Sequence, residues 1–299
     1  MADRISALTT HARTLREISL NQVELAKINQ QISSGKRVAS YDELSGAVER
    51  VSANQSKISR IDNYIANNKS VSTTLSAMNN SLDVIQKTLG DFSSNLVLRR
   101  GAATSDQMNF PALAQEALDK IAGALNQNVG GRYVFAGTKT DVKPVDINGD
   151  LTETGTPDDN YYSGNSETMT ARISDDRTID YGVAGNHPAF QKAIAAIKTA
   201  MEADKTNSTE DFEKAVDLLN EAVSEVTNVR AKVASNMVSV DNASTEHASA
   251  KIYWKQAVAD DLDTDVADAS IKLAADQTIL QATYQVFAMT SKLKLSDYL

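Results

Sequence analysis

Residues 75–96 read LSAMNNSLDVIQKTLGDFSSNL, with large apolar side chains at Leu75, Met78, Leu82, Ile85, Leu89, Phe92 and Leu96. This alternation of three and four residues is the period of a coiled-coil seam, in which successive side chains meet one partner face. Upstream the pattern continues less strictly through Val48, Val51, Ile58, Ile61, Ile65 and Val71. If residues 45–100 are one helix, a rise of about 1.5 Å per residue makes it roughly 84 Å long. Such a helix has to pack on others.

Those others are legible on both sides. Towards the N-terminus, Ile5, Leu8, Ala12, Leu15, Ile18, Leu25, Ile28 and Ile32 form one helical stripe with no local partner. A polar break, QQISSGKRVASYDELSGAVE at 30–49, separates that stripe from the seam: Ser33, Ser34 and Gly35 end one helix, and Ser40 or Asp42 can cap the next. Downstream, Arg100-Gly101 stops the seam, Pro111 opens a shorter helix carrying Leu113, Leu118, Ile121 and Leu125, and Gly130-Gly131 closes it.

From there the composition changes. Residues 137–186 are rich in Gly, Thr, Asp and Pro, with Asn148-Gly149 as a tight-turn signal and extended candidates at 133–135, 169–173 and 178–183. The expectation is a small β-rich insertion. Helix returns after Pro188, and Ser208 or Thr209 caps a second long seam through Phe212, Val216, Leu219, Val223, Val226, Val233, Met237 and Val240. The last segment, from about Val258, carries two stripes. One is Leu262, Val266, Ala269, Leu273, Leu280 and Phe287; the other is Ile271, Ala275, Ile279, Ala282, Val286 and Leu293. One apolar face can pair within the chain, whereas a second stays exposed on a monomer, so self-association is expected.

Composition agrees with a mostly α protein. Aromatic residues make up 5% of the 299, with four Pro and 13 Gly, which suits thin Ala, Leu and Val seams better than a thick globular core. The chain has no cysteine, which excludes disulfides, thiolate metal sites and cysteine nucleophiles. Of the net charge of −9, most sits in residues 141–185, where ten acids face three bases. That argues for a solvated outer surface and against nucleic acid as a partner. The N-terminal stretch does not read as a cleaved signal peptide, and no run approaches the roughly 18 apolar residues of a membrane span.

Candidate chemistry is sparse. A P-loop needs Gly six residues before Lys36 and a hydroxyl after it, but Gln30 and Arg37 stand there, so Gly35-Lys36 reads as a hinge. His11, His187 and His247 have no metal-ligand spacing, and no Gly-x-Ser-x-Gly nucleophile elbow occurs. The pairs Asp158-Asp159 and Asp175-Asp176 lack the spaced loop and terminal Glu of an EF-hand. The motif GRYVFAG at 131–137 lacks the strands and basic balance of an RNA-binding sheet; its Tyr133 and Phe135 are expected to anchor the insertion. No enzymatic constellation and no cofactor site emerge.

The turn ISSGKRVASYDELSGAVE, the long seams, the insertion and the terminal helices together resemble the bacterial flagellin superfamily across nearly the whole chain. The matching turn positions are Ile32, Ser33, Ser34, Gly35, Arg37, Asp42, Glu43 and Gly46. The string GGRYVFAGTKT at 130–140 and the ending LQATYQVFAMTSKLKLSDYL are more similar to superfamily members that join hook to filament than to flagellin, the filament subunit, which is the alternative.

The resemblance implies a coiled-coil helical bundle formed by the N- and C-terminal segments, with an inserted outer β domain. The expected divisions are 1–44 with 258–299 for terminal assembly, 45–136 with 187–257 for the bundle, and 137–186 outside. It implies a ring of copies, contacts with an adjacent hook-associated protein and flagellin, and passage with an export chaperone through the flagellar secretion apparatus to the extracellular flagellum. Ile5, Leu8, Leu15, Leu25 and Ile28 are expected to pair with Leu262, Val266, Leu273, Leu280 and Phe287 in one subunit. Ile271, Ile279, Val286 and Leu293 are expected to meet neighbours, and Ser33, Ser34, Gly35, Arg37, Asp42 and Gly46 to form the hinge.

Overall fold

The computed structural model describes residues 2–38, 46–100, 109–148 and 153–296, with side chains described from Thr9 to Met289 within that range. Among the described residues six helices carry the fold: α1 (Ala2–Ser34), α2 (Val48–Arg100), α3 (Phe110–Leu125), α4 (Pro188–Thr206), α5 (Thr209–Leu262) and α6 (Val266–Ser296). Two compact units divide it, Met1–Arg60 with Ala250–Leu299 and Ile61–Ser249, the divisions falling inside α2 and α5.

In the second unit the 75–96 seam is the core. Leu75, Met78, Leu82, Ile85, Leu89, Phe92 and Leu96 are all buried, packed with Phe110 and Ile121 of α3, Phe190 and Ile197 of α4, and Val226 and Val233 of α5. The irregular upstream seam has a simple cause. Asn54 and Asn68 occupy the positions that complete the three-four alternation, and both are buried. Asn68 donates from Nδ2 to the Ile173 carbonyl at 3.2 Å, so a polar residue holds the insertion where an apolar one is expected.

Local signals fix the helix ends. Asn109 caps α3, Ser208 Oγ accepts from Asp211 N–H at 3.2 Å to cap α5, and Asn207 ends α4 in the left-handed conformation. The end of α3 departs from expectation, because Asn126 rather than Gly130-Gly131 terminates it. The Asn126 amide accepts from Val145 N–H at 3.0 Å and donates to the Val145 carbonyl at 2.8 Å. The glycines instead turn a two-residue hairpin between β1 (Asn128–Val129) and β2 (Arg132–Tyr133), both at positive φ.

The β-rich insertion is not borne out. Among the described residues of 137–186 the only ladder joins β3 (Thr170–Arg172) to β4 (Thr178–Asp180), beside one isolated bridge between Val145 and Tyr162. Side chains and turns satisfy the backbone groups that strands would have paired. Thr138 N–H donates to Asn165 Oδ1 at 2.8 Å, Gly155 N–H to Thr199 Oγ1 at 3.0 Å, and Asn160 N–H to Asp158 Oδ1. At the segment's root Phe135 is buried edge-on against Phe190 of α4 with ring centres 5.9 Å apart, and within it Tyr161 donates to the Gly185 carbonyl at 2.9 Å. Burial pushes the Tyr161 hydroxyl pKa well up and that of Tyr162 up to about 12.

The Asn148-Gly149 turn, the Asp42 or Ser40 cap and Gly101 include positions outside the described residues.

Candidate assembly surface

In the first unit α1 and α6 pack antiparallel. At one end His11 meets Phe287 with ring centres 4.4 Å apart, and further along Gln22 Nε2 donates to the Tyr284 hydroxyl at 2.8 Å. Ile18, Ile28 and Ala269 are buried, while Leu25, Leu273, Leu280 and Phe287 are half-buried. Leu15 and Val266, expected on the same seam, lie 51% and 46% exposed. The side chains of Ile5, Leu8 and Leu293 are outside the described set. The other face of α6 is open, with Ile271 70%, Ile279 52% and Val286 56% exposed.

At the hinge, Ser34 ends α1 and Gly35 adopts φ +67°, its N–H returning to the Gln31 carbonyl at 2.8 Å. This left-handed cap requires no particular packing, since a Cβ on Gly35 would meet nothing within 4 Å; conformation alone selects the glycine. Gly46, at φ +79°, precedes α2. Ser33 and Ser34 are exposed, and Asp42 is not among the described residues.

The sequence reading missed what the hinge is fastened to. Arg37 N–H donates to the Leu262 carbonyl at 2.7 Å, and Thr264 N–H to the Gly35 carbonyl at 3.0 Å, forming a backbone bridge between the two interhelical links. Leu262 therefore ends α5 instead of lying in the final helix, and Asp265 caps α6 by accepting from Ala267 and Asp268 N–H. Charges flank the bridge: Lys36 pairs with Asp263, and Arg50 grips Asp261 through Nε at 2.8 Å. The hydrogen bond from Arg50 keeps the Asp261 carboxyl below its usual pKa. The acidic run at 260–268 opposite the basic Lys36-Arg37 turn was the available signal.

Among the described residues no cluster of His, Asp or Glu could hold a metal ion, and no helix is long and apolar enough to cross a membrane. What the terminal helices offer is a surface.

Comparison with known proteins gives that surface a setting. Residues 5–140 match the family described as the bacterial flagellin N-terminal helical region. Over that segment the chain is similar to the flagellin family. The chain is also similar to flagellar hook-associated protein 3 of Escherichia coli strain K12, 22% identical over 98% of each chain. Its counterpart in Salmonella typhimurium strain LT2 is 23% identical over 95% of this chain and 96% of its own. In fold the chain is similar to a solved structure described as a flagellar hook-associated protein from Vibrio parahaemolyticus. The TM-score is 0.58 at 17% identity, over 72% of this chain and 96% of that one.

Proposed function

We infer that the chain is a structural subunit of the bacterial flagellum, forming the junction between hook and filament by helix-mediated self-assembly. One observation carries the assembly reading. Of the 17 large apolar residues exposed among those described, 12 lie in the first unit, which holds 110 of the 299 residues. Water-exposed apolar surface concentrated on paired terminal helices marks a face that other chains cover. The full-length relatives supply the setting, since both are named for the hook-associated structure.

On this reading residues 1–44 with 258–299 form the terminal assembly domain, 45–136 with 187–257 a helical bundle, and 137–186 a separate inserted segment. Ile5, Leu8, Leu15, Leu25 and Ile28 pair with Leu262, Val266, Leu273, Leu280 and Phe287 within a subunit. Ile271, Ile279, Val286 and Leu293 pack on neighbours in a ring, and Ser33 to Gly46 form the hinge. The ring contacts an adjacent hook-associated protein on one side and flagellin on the other. The subunit reaches this extracellular site through the flagellar secretion apparatus with an export chaperone.

Deletion of the gene, with electron microscopy of the cell surface and a search of the medium for flagellin, tests the reading. Bare hooks with flagellin released are expected. Bare hooks with no other flagellin released would make this chain the filament subunit, a reading that the match at residues 5–140 also accommodates.

A further inference from the structure

A helical glycine and a helical stripe in the second unit have no explanation within the chain, and each supplies what the other lacks. Gly123 lies inside α3, where a Cβ would meet nothing within 4 Å. Glycine in a helix interior is destabilising relative to alanine, so neither conformation nor intrachain packing favours it. Beside it runs a groove of about 380 Å³ lined by Ala77, Asn80, Ser81, Val84, Gly123, Ala124 and Gln127, none of them charged. Ser81 is 5% exposed, lines the groove, and has no hydrogen-bond partner among the described residues. Its hydroxyl is open at the groove, where a group from another chain can reach it.

The stripe lies on α5. Ser224, Ala231, Ser235, Val238, Asn242 and Thr245 are all exposed, and their spacings of seven, four, three, four and three place them on one face. No charge interrupts that face over 22 residues, in a chain that is 23% charged. Solvated helix faces carry charges, and the centres of interfaces are depleted of them. Val238, 60% exposed, is its one large apolar side chain.

We propose that the α5 stripe of one copy seats in the α2–α3 groove of a second copy of this chain. Small side chains on both surfaces allow close helix approach, Val238 fills the space over Gly123, and Ser235 or Asn242 offers Ser81 a partner. The occupant is uncharged because a charge entering this groove would lose its hydration without compensation. As the two surfaces lie on different helices, the contact is head-to-tail and generates a ring or a helical array. The proposal rests on the assembly reading and adds to it an interface carried by the second unit.

The absence of native cysteine makes the contact directly testable. A chain carrying both Gly123→Cys and Val238→Cys, oxidised within isolated flagella, is expected to give a ladder of disulfide-linked oligomers, and neither single variant a band above monomer. A dimer from Gly123→Cys alone would overturn the head-to-tail contact. So would a double variant that supports filament growth yet gives no ladder. Filaments grown without the chain would instead overturn the assembly reading beneath it. In parallel, Gly123→Ala and Gly123→Gln should both raise the unfolding temperature, while only Gln, by filling the groove, prevents junction formation. Normal assembly by Gly123→Gln would overturn the proposal.

Discussion

Single residues carry two of the structure's decisive joints. At Gly35 the left-handed φ of +67° lets α1 end and the chain turn back to pair with the α5–α6 link. Alanine is strained there by about 1 kcal/mol, because its Cβ approaches the following carbonyl. In Gly35→Ala the amides of Arg37 and Thr264, which donate into the bridge, should exchange with solvent about fivefold faster. Unchanged exchange at both would show that the clasp does not depend on the turn. At Asn126 one side-chain amide satisfies both peptide groups of Val145, which is buried. Asn126→Ala strands a buried N–H and a buried C=O together, so denaturant unfolding should show a loss of about 2–4 kcal/mol. Asn126→Asp keeps the acceptor and should fall between.

Among the elements, α4 begins in a way that makes it sensitive to pH. His187 is its cap, with Nδ1 accepting from Ala189 N–H at 3.2 Å, and burial is the main cause that holds its pKa below the ordinary value. Protonation would both charge a half-buried ring and remove the acceptor. With the folded pKa depressed, the unfolded chain binds more protons in the interval between the folded value and about 6.5, so stability rises with pH there. The full contribution is present above about pH 6.5 and is lost as pH falls through that value towards the folded pKa. Asn caps equally well without titrating. The unfolding temperature of the native chain should therefore drop relative to His187→Asn as pH is lowered from 7.5 to 5, and a constant difference would exclude the effect.

Elements also show what a sequence reading can and cannot recover. The α2 seam at 75–96 was fully legible, because seven large apolar residues in strict register admit one period. The α5 seam was legible only in part: its deepest positions include Ala215, Ala222 and Ala243, and alanine marks neither core nor surface by itself. The buried Asn54 and Asn68 were missed for the opposite reason, since burial of an amide depends on a partner such as Ile173 that lies far away in sequence. The insertion was misread because alternating and β-branched residues signal strands only where neighbours pair with them; here Asn165, Thr199 and Asp158 took the backbone donors first. The hinge residues were visible, while Asp261 and Asp263, more than 200 positions away, became partners only through the fold.

On the scale of the whole molecule, function lies in the difference between what a monomer buries and what it leaves open. Half-burial of Leu273, Leu280 and Phe287 against α1 leaves Ile271 and Val286 facing water. A substitution at these last two positions separates folding from assembly. Aspartate at Ile271 or Val286 remains solvated in the monomer, so the unfolding free energy should stay within about 0.5 kcal/mol of the native value. In a neighbour's apolar seam the same charge loses its hydration without a partner, which costs several kcal/mol at every repeated contact. Ile271→Asp and Val286→Asp should therefore fold, by circular dichroism and thermal unfolding, yet leave cells with bare hooks and flagellin in the medium. Leu280→Asp differs, because its half-buried position against α1 should lower monomer stability as well. Filament growth supported by both Ile271→Asp and Val286→Asp would remove that face of α6 from the assembly, whereas loss of monomer folding in either would mean that the chain itself covers the face.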